Sequence, residues 1–290
     1  MVTSSYPIKN SNLGPFVQNI VKGLSKKDIE VGVMIFSTSN DFKRYEQDGA
    51  MIYEYPYTHM EPMLHKHRGL IPSIKNSHLA KFELIGYFFN TLRYLKKIAK
   101  DYDVIHAHWY LPGGFLSCLS RINKPVVTTA WGAEFHLPNN LFIRKILKYV
   151  NQKSTRTVAV SKYMRRKAKE YGLDVRDMNV IANSIDIKDF SLKRKKTDEI
   201  IIGTVRRLVP EKRVQDLIEA FSDLDRGKLW IVGDGPEMNK LKKLVKKRDI
   251  ENKVKFFGMV SHEKIPKILS KMDIYVNPSI QEGMATANLE

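Results

Sequence analysis

The segment Val205-Arg-Arg-Leu-Val-Pro-Glu-Lys212 sets basic side chains between an apolar run, Ile200–Thr204, and a stretch with helical spacing from Val214. Arginine offers a fork to paired phosphate oxygens, and lysine a point charge. A helix N-terminus beside them adds partial positive charge, so the turn suits a phosphate group. Glu282 and Glu290 stand eight apart after another apolar run, Ile274–Val276. Were the segment between them helical, they would lie ~12 Å apart along its axis. That is too far to share a proton, and beyond the ~5 Å of a retaining glycosidase pair. The two carboxylates therefore have separate duties, one on a loop and one inside a helix.

Further candidates stand in His106-Ala-His-Trp-Tyr-Leu-Pro-Gly-Gly114 and in Trp131-Gly-Ala-Glu-Phe-His136. Positions two apart on a strand share a face, so His106 and His108 point the same way. Paired imidazoles can bind metal, move protons or hydrogen-bond hydroxyls; no third ligand stands at a recognisable metal spacing, which leaves metal the weakest option. Gly132 suits a turn where backbone approaches a ligand, with Glu134 beside it. Cys118 is the single cysteine, so neither an intrachain disulfide nor a thiolate zinc site can form. In Gly233-Asp-Gly-Pro-Glu237 only the first two glycines of a dinucleotide fingerprint are present, the sixth position being Met238. A nicotinamide site is rejected.

What must position these groups is an alternation of short apolar runs and helical patterns. Strands are predicted at 31–36, 51–55, 104–107, 125–129, 157–160, 179–182, 200–204, 229–232, 254–257 and 274–276. Helices are predicted at 15–25, 79–99, 141–151, 161–171, 214–221, 237–247 and 262–270. Such alternation implies α/β architecture with parallel sheets covered on both faces. The charged stretch Asp186–Glu199 breaks the rhythm and reads as a linker between a domain at 1–185 and a second at 200–290. In open parallel sheets ligands bind beyond the carboxyl ends of the strands, so the loops named above are the expected sites.

The chain has 290 residues, 49 Lys+Arg against 31 Asp+Glu and a formal charge of +18; 43% hydrophobic residues exclude a disordered chain. No run approaches the ~20 apolar residues of a membrane span. No signal peptide is visible at the start, which points to a cytoplasmic protein. The positive charge fits nucleic acid or anionic lipid as readily as solvated helix faces. Tyr87, Phe88 and Phe89 would suit a lipid-linked acceptor, but are assigned to the core.

In this order, Arg207-Leu-Val-Pro-Glu-Lys212, Val232-Gly-Asp-Gly-Pro-Glu237, Val254-Lys-Phe-Phe-Gly-Met-Val260 and Glu282-x7-Glu290 resemble glycosyltransferase family 4. Thr3–Pro7, Asp103–His108, Ala159–Ser161 and Asn183–Asp186 extend the resemblance over nearly the whole chain. It implies the GT-B fold, two Rossmann-like domains facing across a cleft. It also implies transfer of a sugar, with retention, from a nucleoside diphosphate sugar to an acceptor hydroxyl, as in surface polysaccharide or glycolipid synthesis. Carried over by position, Arg207, Lys212 and Gly14 take the donor diphosphate, and Glu282 faces the donor sugar in a catalytic role. Glu290 takes the ribose, and Gly258, Met259 and Val260 lie against the base. His108, as a catalytic residue, falls with His106 and Glu134 on the acceptor and sugar side. No metal and no other cofactor are expected. The partners implied are the donor and a sugar or lipid-linked acceptor, with peripheral contact to anionic membrane at its inner face and no nucleic acid. The rivals are a nucleotide-sugar epimerase of the same fold and a basic nucleic-acid-binding protein. Where the family often carries His-Gly, Asn-Gly, a glycine after the lysine and Phe-Gly, this chain has Trp131-Gly132, Asn183-Ser184, Arg213 and Met284-Ala285. Members usually continue past the second glutamate, so the resemblance marks the chain as truncated in its second domain and catalytically poor as written.

Overall fold

A computed structural model describes residues 1–8, 14–37, 39–58, 64, 78–137, 140–191, 199–280 and 282–290. It divides into two compact units, Met1–Ser184 and Ile185–Glu290. Residues 192–198 of the expected linker lie outside the described residues.

Unit 1 runs α1 (Pro15–Ser25), β1 (Gly32–Phe36), β2 (Lys43–Gln47), β3 (Ala50–Tyr55), α2 (His78–Ile98), β4 (Ile105–His108), α3 (Phe115–Leu119), β5 (Val126–Ala130), α4 (Leu141–Lys153), β6 (Arg156–Ala159), α5 (Lys162–Glu170) and β7 (Met178–Val180). The strand orders β1-β3-β2 and β4-β5-β6-β7 are joined through Val2, which pairs in parallel with Met34 and Ala107. The strand order therefore reverses about the chain's first residues, between β1 and β4. Every residue of β1 is buried, as a parallel strand covered on both faces requires. The helices start on local signals. Asn140 accepts from Ile143 N at 2.9 Å, and Ser161 accepts from Met164 N at 3.1 Å.

Two expectations for unit 1 need correction. Strand β2, Lys-Arg-Tyr-Glu-Gln, is an antiparallel edge that pattern reading passes over because it has no apolar run. On α2, Tyr87 is buried but Phe89 is 64% exposed, together with Phe82 and Ile85. Residues two apart on a helix cannot share its buried face, so the three aromatics do not sit in the core as a group.

Unit 2 runs β8 (Ile201–Val205), α6 (Val214–Ser222), β9 (Lys228–Val232), α7 (Met238–Lys247), β10 (Val254–Gly258), α8 (Ile265–Leu269) and β11 (Ile274–Tyr275). The sheet is parallel throughout, in the order β10-β9-β8-β11, so it reverses between β8 and β11. Ile202, Leu217, Ile218, Phe221, Leu229 and Ile231 belong to one core, and Ile201, Val232, Ile265 and Met272 form the other. The glycines after β9 have a packing reason. A Cβ on Gly233 would meet Arg206 O at 1.8 Å, and one on Gly235 would meet Leu208 O at 2.2 Å. The loops after β8 and β9 touch backbone to backbone, which accounts for both glycines without a cofactor. The helix expected between Glu282 and Glu290 is absent; among the described residues only a 3-10 turn, Thr286–Asn288, forms there. None of the described helices is long and apolar enough to cross a membrane.

Candidate functional site

In unit 2 the loops after β8 and β11 meet where the strand order reverses, the place where open α/β sheets bind ligands. Lys212 Nζ donates to Glu282 Oε1 at 2.7 Å, and Ser279 Oγ donates to the same oxygen at 2.8 Å. Behind them lies Arg206, its side chain only 4% exposed. Its guanidinium donates to Thr204 Oγ1 at 2.6 Å, Asn277 Oδ1 at 2.8 Å, Ser279 Oγ, and Tyr275 Oη at 3.3 Å. Glu282 Oε1 stands 3.9 Å from Arg206 Nη1. A buried guanidinium cannot shed its proton, so it needs these acceptors and a nearby carboxylate. Arg206 thus fixes the loop that carries Glu282. Arg207 points elsewhere: it is exposed and makes no side-chain hydrogen bond or ion pair with a described residue. Arg213, where the family often has glycine, sits at φ 50°, ψ 36° ahead of α6, a left-handed conformation that glycine adopts at less cost.

The other candidates of unit 2 lie around this cluster. Glu290 pairs with His262, Oε1 to Nε2 at 2.9 Å, and its side chain is 5% exposed. Gly258 ends β10 at φ 67° and accepts from Gly233 N at 2.9 Å. Met259 is half exposed, and Val260 packs against the core that holds Ile265 and Met272.

In unit 1 the strand ends are lined with aromatic rings. The rings of His106 and His108 lie 4.4 Å apart, centroid to centroid. Phe16 lies 4.3 Å from Trp131 and 5.8 Å from Trp109, and the two indoles are 6.1 Å apart. Trp109 is held at φ 64°, a conformation costly for a bulky residue, at the start of a wide turn through Gly114. His106 Nε2 is 2.8 Å from Thr129 Oγ1. Burial, with a smaller contribution from the chain's amino terminus, lowers His106 to about 4. Burial and the neighbouring His106 hold His108 well below the ordinary histidine range. Both rings are therefore neutral near pH 7. Trp131 Nε1 donates to His108 Nδ1 at 3.3 Å, which puts the ring's one proton on Nε2. That Nε2 is buried and has no hydrogen-bond partner among the described residues. His108 accordingly offers a donor rather than a base at its free edge.

Glu134 is buried, and its carboxylate accepts from Gly132 N at 2.7 Å and Tyr110 N at 3.3 Å. Burial raises its pKa, and the backbone donors limit the rise. It ties the loop after β5 to the loop after β4. Gly14 caps α1 at φ 76°, and a Cβ there would meet Ser5 O at 2.4 Å. No group of three His, Cys, Asp or Glu among the described residues could hold a metal ion.

The sequence pattern described as Glycosyltransferase Family 4 matches residues 13–189, and that described as Glycosyl transferases group 1 matches residues 186–290. The chain belongs to glycosyltransferase family 4. An uncharacterized glycosyltransferase of Methanocaldococcus jannaschii is 26% identical over 94% of this chain and 70% of its own length. N-acetyl-alpha-D-glucosaminyl L-malate synthase of Bacillus anthracis is 25% identical over 66% of the chain and 54% of its own. The chain thus spans little more than half of that relative. Among solved structures, sucrose-phosphate synthase from Thermosynechococcus elongatus superposes with a TM-score of 0.79 at 15% identity, covering 99% of this chain and 76% of that one. Anabaena HepE, in complex with UDP and glucose, gives 0.72 at 16% identity over 99% and 75%. These likenesses show the GT-B fold.

Within this family 4 chain, sequence reasoning missed Arg206 as the organiser of the second site. One signal was available: Thr204 and Arg206 are two apart at the end of a strand, hence on one face. Nothing in the sequence marked Asn277 and Ser279 as its partners, since those contacts span more than 70 residues. Trp131 was read as a departure from the family; here it is the hydrogen-bond partner that sets the His108 tautomer.

Proposed function

We propose that the chain transfers a hexose, with retention, from a nucleoside diphosphate sugar to an acceptor hydroxyl, in surface polysaccharide or glycolipid synthesis at the cytoplasmic side of a membrane. One observation carries this reading: Lys212, Ser279 and Arg206 converge on Glu282 at the strand-order switch of unit 2, with Arg207 exposed in the same loop. Negative charge grows on the diphosphate as the glycosidic bond breaks. Fixed positive groups meet that charge without reorganising during the reaction. In this scheme Arg207 and Lys212 take the diphosphate. Glu282, still held by Ser279, accepts from the hydroxyls of the donor sugar. Glu290 holds the ribose, and Gly258–Val260 lie against the base. The leaving phosphate accepts the acceptor's proton as attack occurs on the same face. In unit 1, His108 Nε2–H and His106 hydrogen-bond a sugar hydroxyl. An unsatisfied buried donor costs about 1–3 kcal/mol, which such a hydroxyl recovers. HepE, solved with UDP-glucose, supports a nucleotide-sugar donor for this fold. Because side chains meet the leaving charge, the scheme needs no divalent ion, and EDTA should leave the rate unchanged.

The test is to incubate the chain with UDP- and GDP-hexoses and a lipid-linked sugar and to read the product's anomeric coupling by NMR. An axial donor should give an axial product. Inverted product would contradict the scheme, and an isomerised donor sugar formed without acceptor would replace it with an epimerase.

A further inference from the structure

Strand β2 is the edge of the first sheet of unit 1: among the described residues it pairs with β3 alone. Asp48 and Gly49, both at positive φ, join it to β3 by a two-residue turn, which fixes the register of the hairpin. Along a strand, backbone N–H and C=O groups face one neighbour and then the other. Met51 N donates to Val31 O at 2.9 Å and Tyr55 O accepts from Ser37 N at 2.8 Å, so Met51, Tyr53 and Tyr55 turn their backbone groups towards β1. Glu46 and Arg44 stand opposite Met51 and Tyr53 across the hairpin. Their own N–H and C=O groups therefore point outward, on the unpaired edge. Both residues are exposed, and neither forms an ion pair with a described residue; the Arg44 guanidinium lies over the Tyr53 ring, 5.6 Å from its centre.

Charge commonly protects an exposed edge, because an identical strand brings like charge against like. The order Lys-Arg-Tyr-Glu-Gln has a different consequence. In antiparallel pairing with a second copy, outward-facing residues must meet outward-facing residues, so the two-fold axis passes at Arg44, at Tyr45 or at Glu46. An axis at Arg44 sets two arginines opposite each other, and one at Glu46 sets two glutamates. An axis at Tyr45 sets Arg44 of each copy opposite Glu46 of the other, and Lys43 opposite neutral Gln47. We propose that β2 pairs with β2 of a second copy in this register, making one continuous sheet across the two. Arg44 and the second copy's Glu46 exchange backbone hydrogen bonds, and their side chains form a cross-strand ion pair on one face. The reciprocal charges favour a second copy over an unrelated extended segment. One short strand makes a small contact, so the association is weak and depends on concentration. It is independent of the sugar-transfer reading.

The experiment is sedimentation equilibrium of the full chain over a series of concentrations at low salt. The parent is compared with Arg44→Glu, with Glu46→Arg and with the double variant that carries both changes. All the changes fall at exposed positions, and unchanged circular dichroism melting confirms folding. The parent should form a two-copy species. Each single variant turns both attractive pairs into repulsive ones and should associate on the order of tenfold more weakly. The double variant exchanges the charges, restores opposite pairs and should associate as the parent does. The chain carries a formal charge of +18, so an effect of net charge alone would strengthen association in Arg44→Glu and weaken it in Glu46→Arg. Such opposite shifts would overturn the proposal. So would a parent that stays single at every concentration, association unmoved by either single variant, or losses that the double variant fails to restore.

Discussion

At the strand ends of unit 1, the neutral ring of His108 lies against Trp109 and Trp131 with His106 beside it, and the carboxylate of Glu134 is spent on backbone donors. At the strand ends of unit 2, a lysine, a buried arginine and a half-buried glutamate meet within 4 Å, and Arg207 stands free in solvent. Both clusters occupy the place where a parallel sheet reverses its strand order. The same topology therefore supports opposite physics. Unit 1 keeps its imidazoles neutral, ties the Glu134 carboxylate to backbone donors and leaves one N–H spare. Unit 2 brings charge together and holds it on a hydrogen-bonded frame. Substitutions of the packed aromatics in the first cluster should therefore act mainly on folding, and those in the second cluster mainly on turnover.

The largest effect expected is on folding. Trp131→Ala removes a buried indole and the donor to His108, and should destabilise unit 1 by about 3–5 kcal/mol. Hydrogen exchange read by mass spectrometry should show faster exchange across β4 and β5 and none of it in β8–β11. Uniform acceleration of both units would break the comparison. Next comes turnover. Lys212→Ala should lower the rate of sugar transfer by ~10²–10³ while leaving the unfolding midpoint in urea close to that of the parent. A large shift in that midpoint would recast Lys212 as a structural residue.

A pH effect sharpens the contrast further. His106 titrates near 4 in the folded state and near 6.5 when unfolded, so between those values the unfolded chain binds the extra proton. Stability is complete above pH 6.5 and falls as the pH drops towards 4, by about 1 kcal/mol per pH unit in this window. His108 adds to the loss in the same direction. In a Trp230→Phe background, where fluorescence reports on Trp109 and Trp131 alone, the urea midpoint should fall with pH for the parent and less steeply for His106→Gln. Identical slopes would contradict a half-buried, neutral His106. The smallest effect is expected at Arg213, held at φ 50°. Arg213→Gly should move the melting temperature of unit 2 by no more than roughly 2 °C, since relief of the left-handed backbone is offset by loss of the Arg213 Nε–Asp216 Oδ2 contact at 2.6 Å, with turnover unchanged.

Much of the scaffold was legible because buried parallel strands announce themselves. Val33, Ile35, Ile201, Ile231 and Val232 stand in apolar runs bounded by turn residues, and α1 and α6 carry their buried residues at helical spacing. Strand β2 was not legible, since an edge needs hydrogen bonds from one side only and tolerates Lys43, Arg44 and Glu46. Nor was the wide turn from Trp109 to Gly114, whose residue at φ 64° is an indole rather than a glycine. In the candidate site the charged types and their loops were readable, because phosphate chemistry restricts which residues serve. Which arginine turns inward was not. Arg206 and Arg207 are equivalent as types, and the choice is made by Asn277 and Ser279, brought close only by the pairing of β11 with β8. The segment from Glu282 to Glu290 was expected to leave a loop and enter a helix that carries Glu290, whereas only one 3-10 turn forms there among the described residues.

Whether the charged cluster of unit 2 holds a nucleoside diphosphate is decided by calorimetric titration with UDP, GDP and their hexose conjugates. The parent chain should bind one nucleotide saturably. An affinity loss of roughly tenfold or more is expected in Lys212→Ala, where one charge-assisted contact worth about 1.5–3 kcal/mol is gone. Glu282→Gln should bind the bare diphosphate as the parent does. Unchanged affinity in Lys212→Ala and in Arg207→Ala would take the diphosphate out of this site and contradict the account.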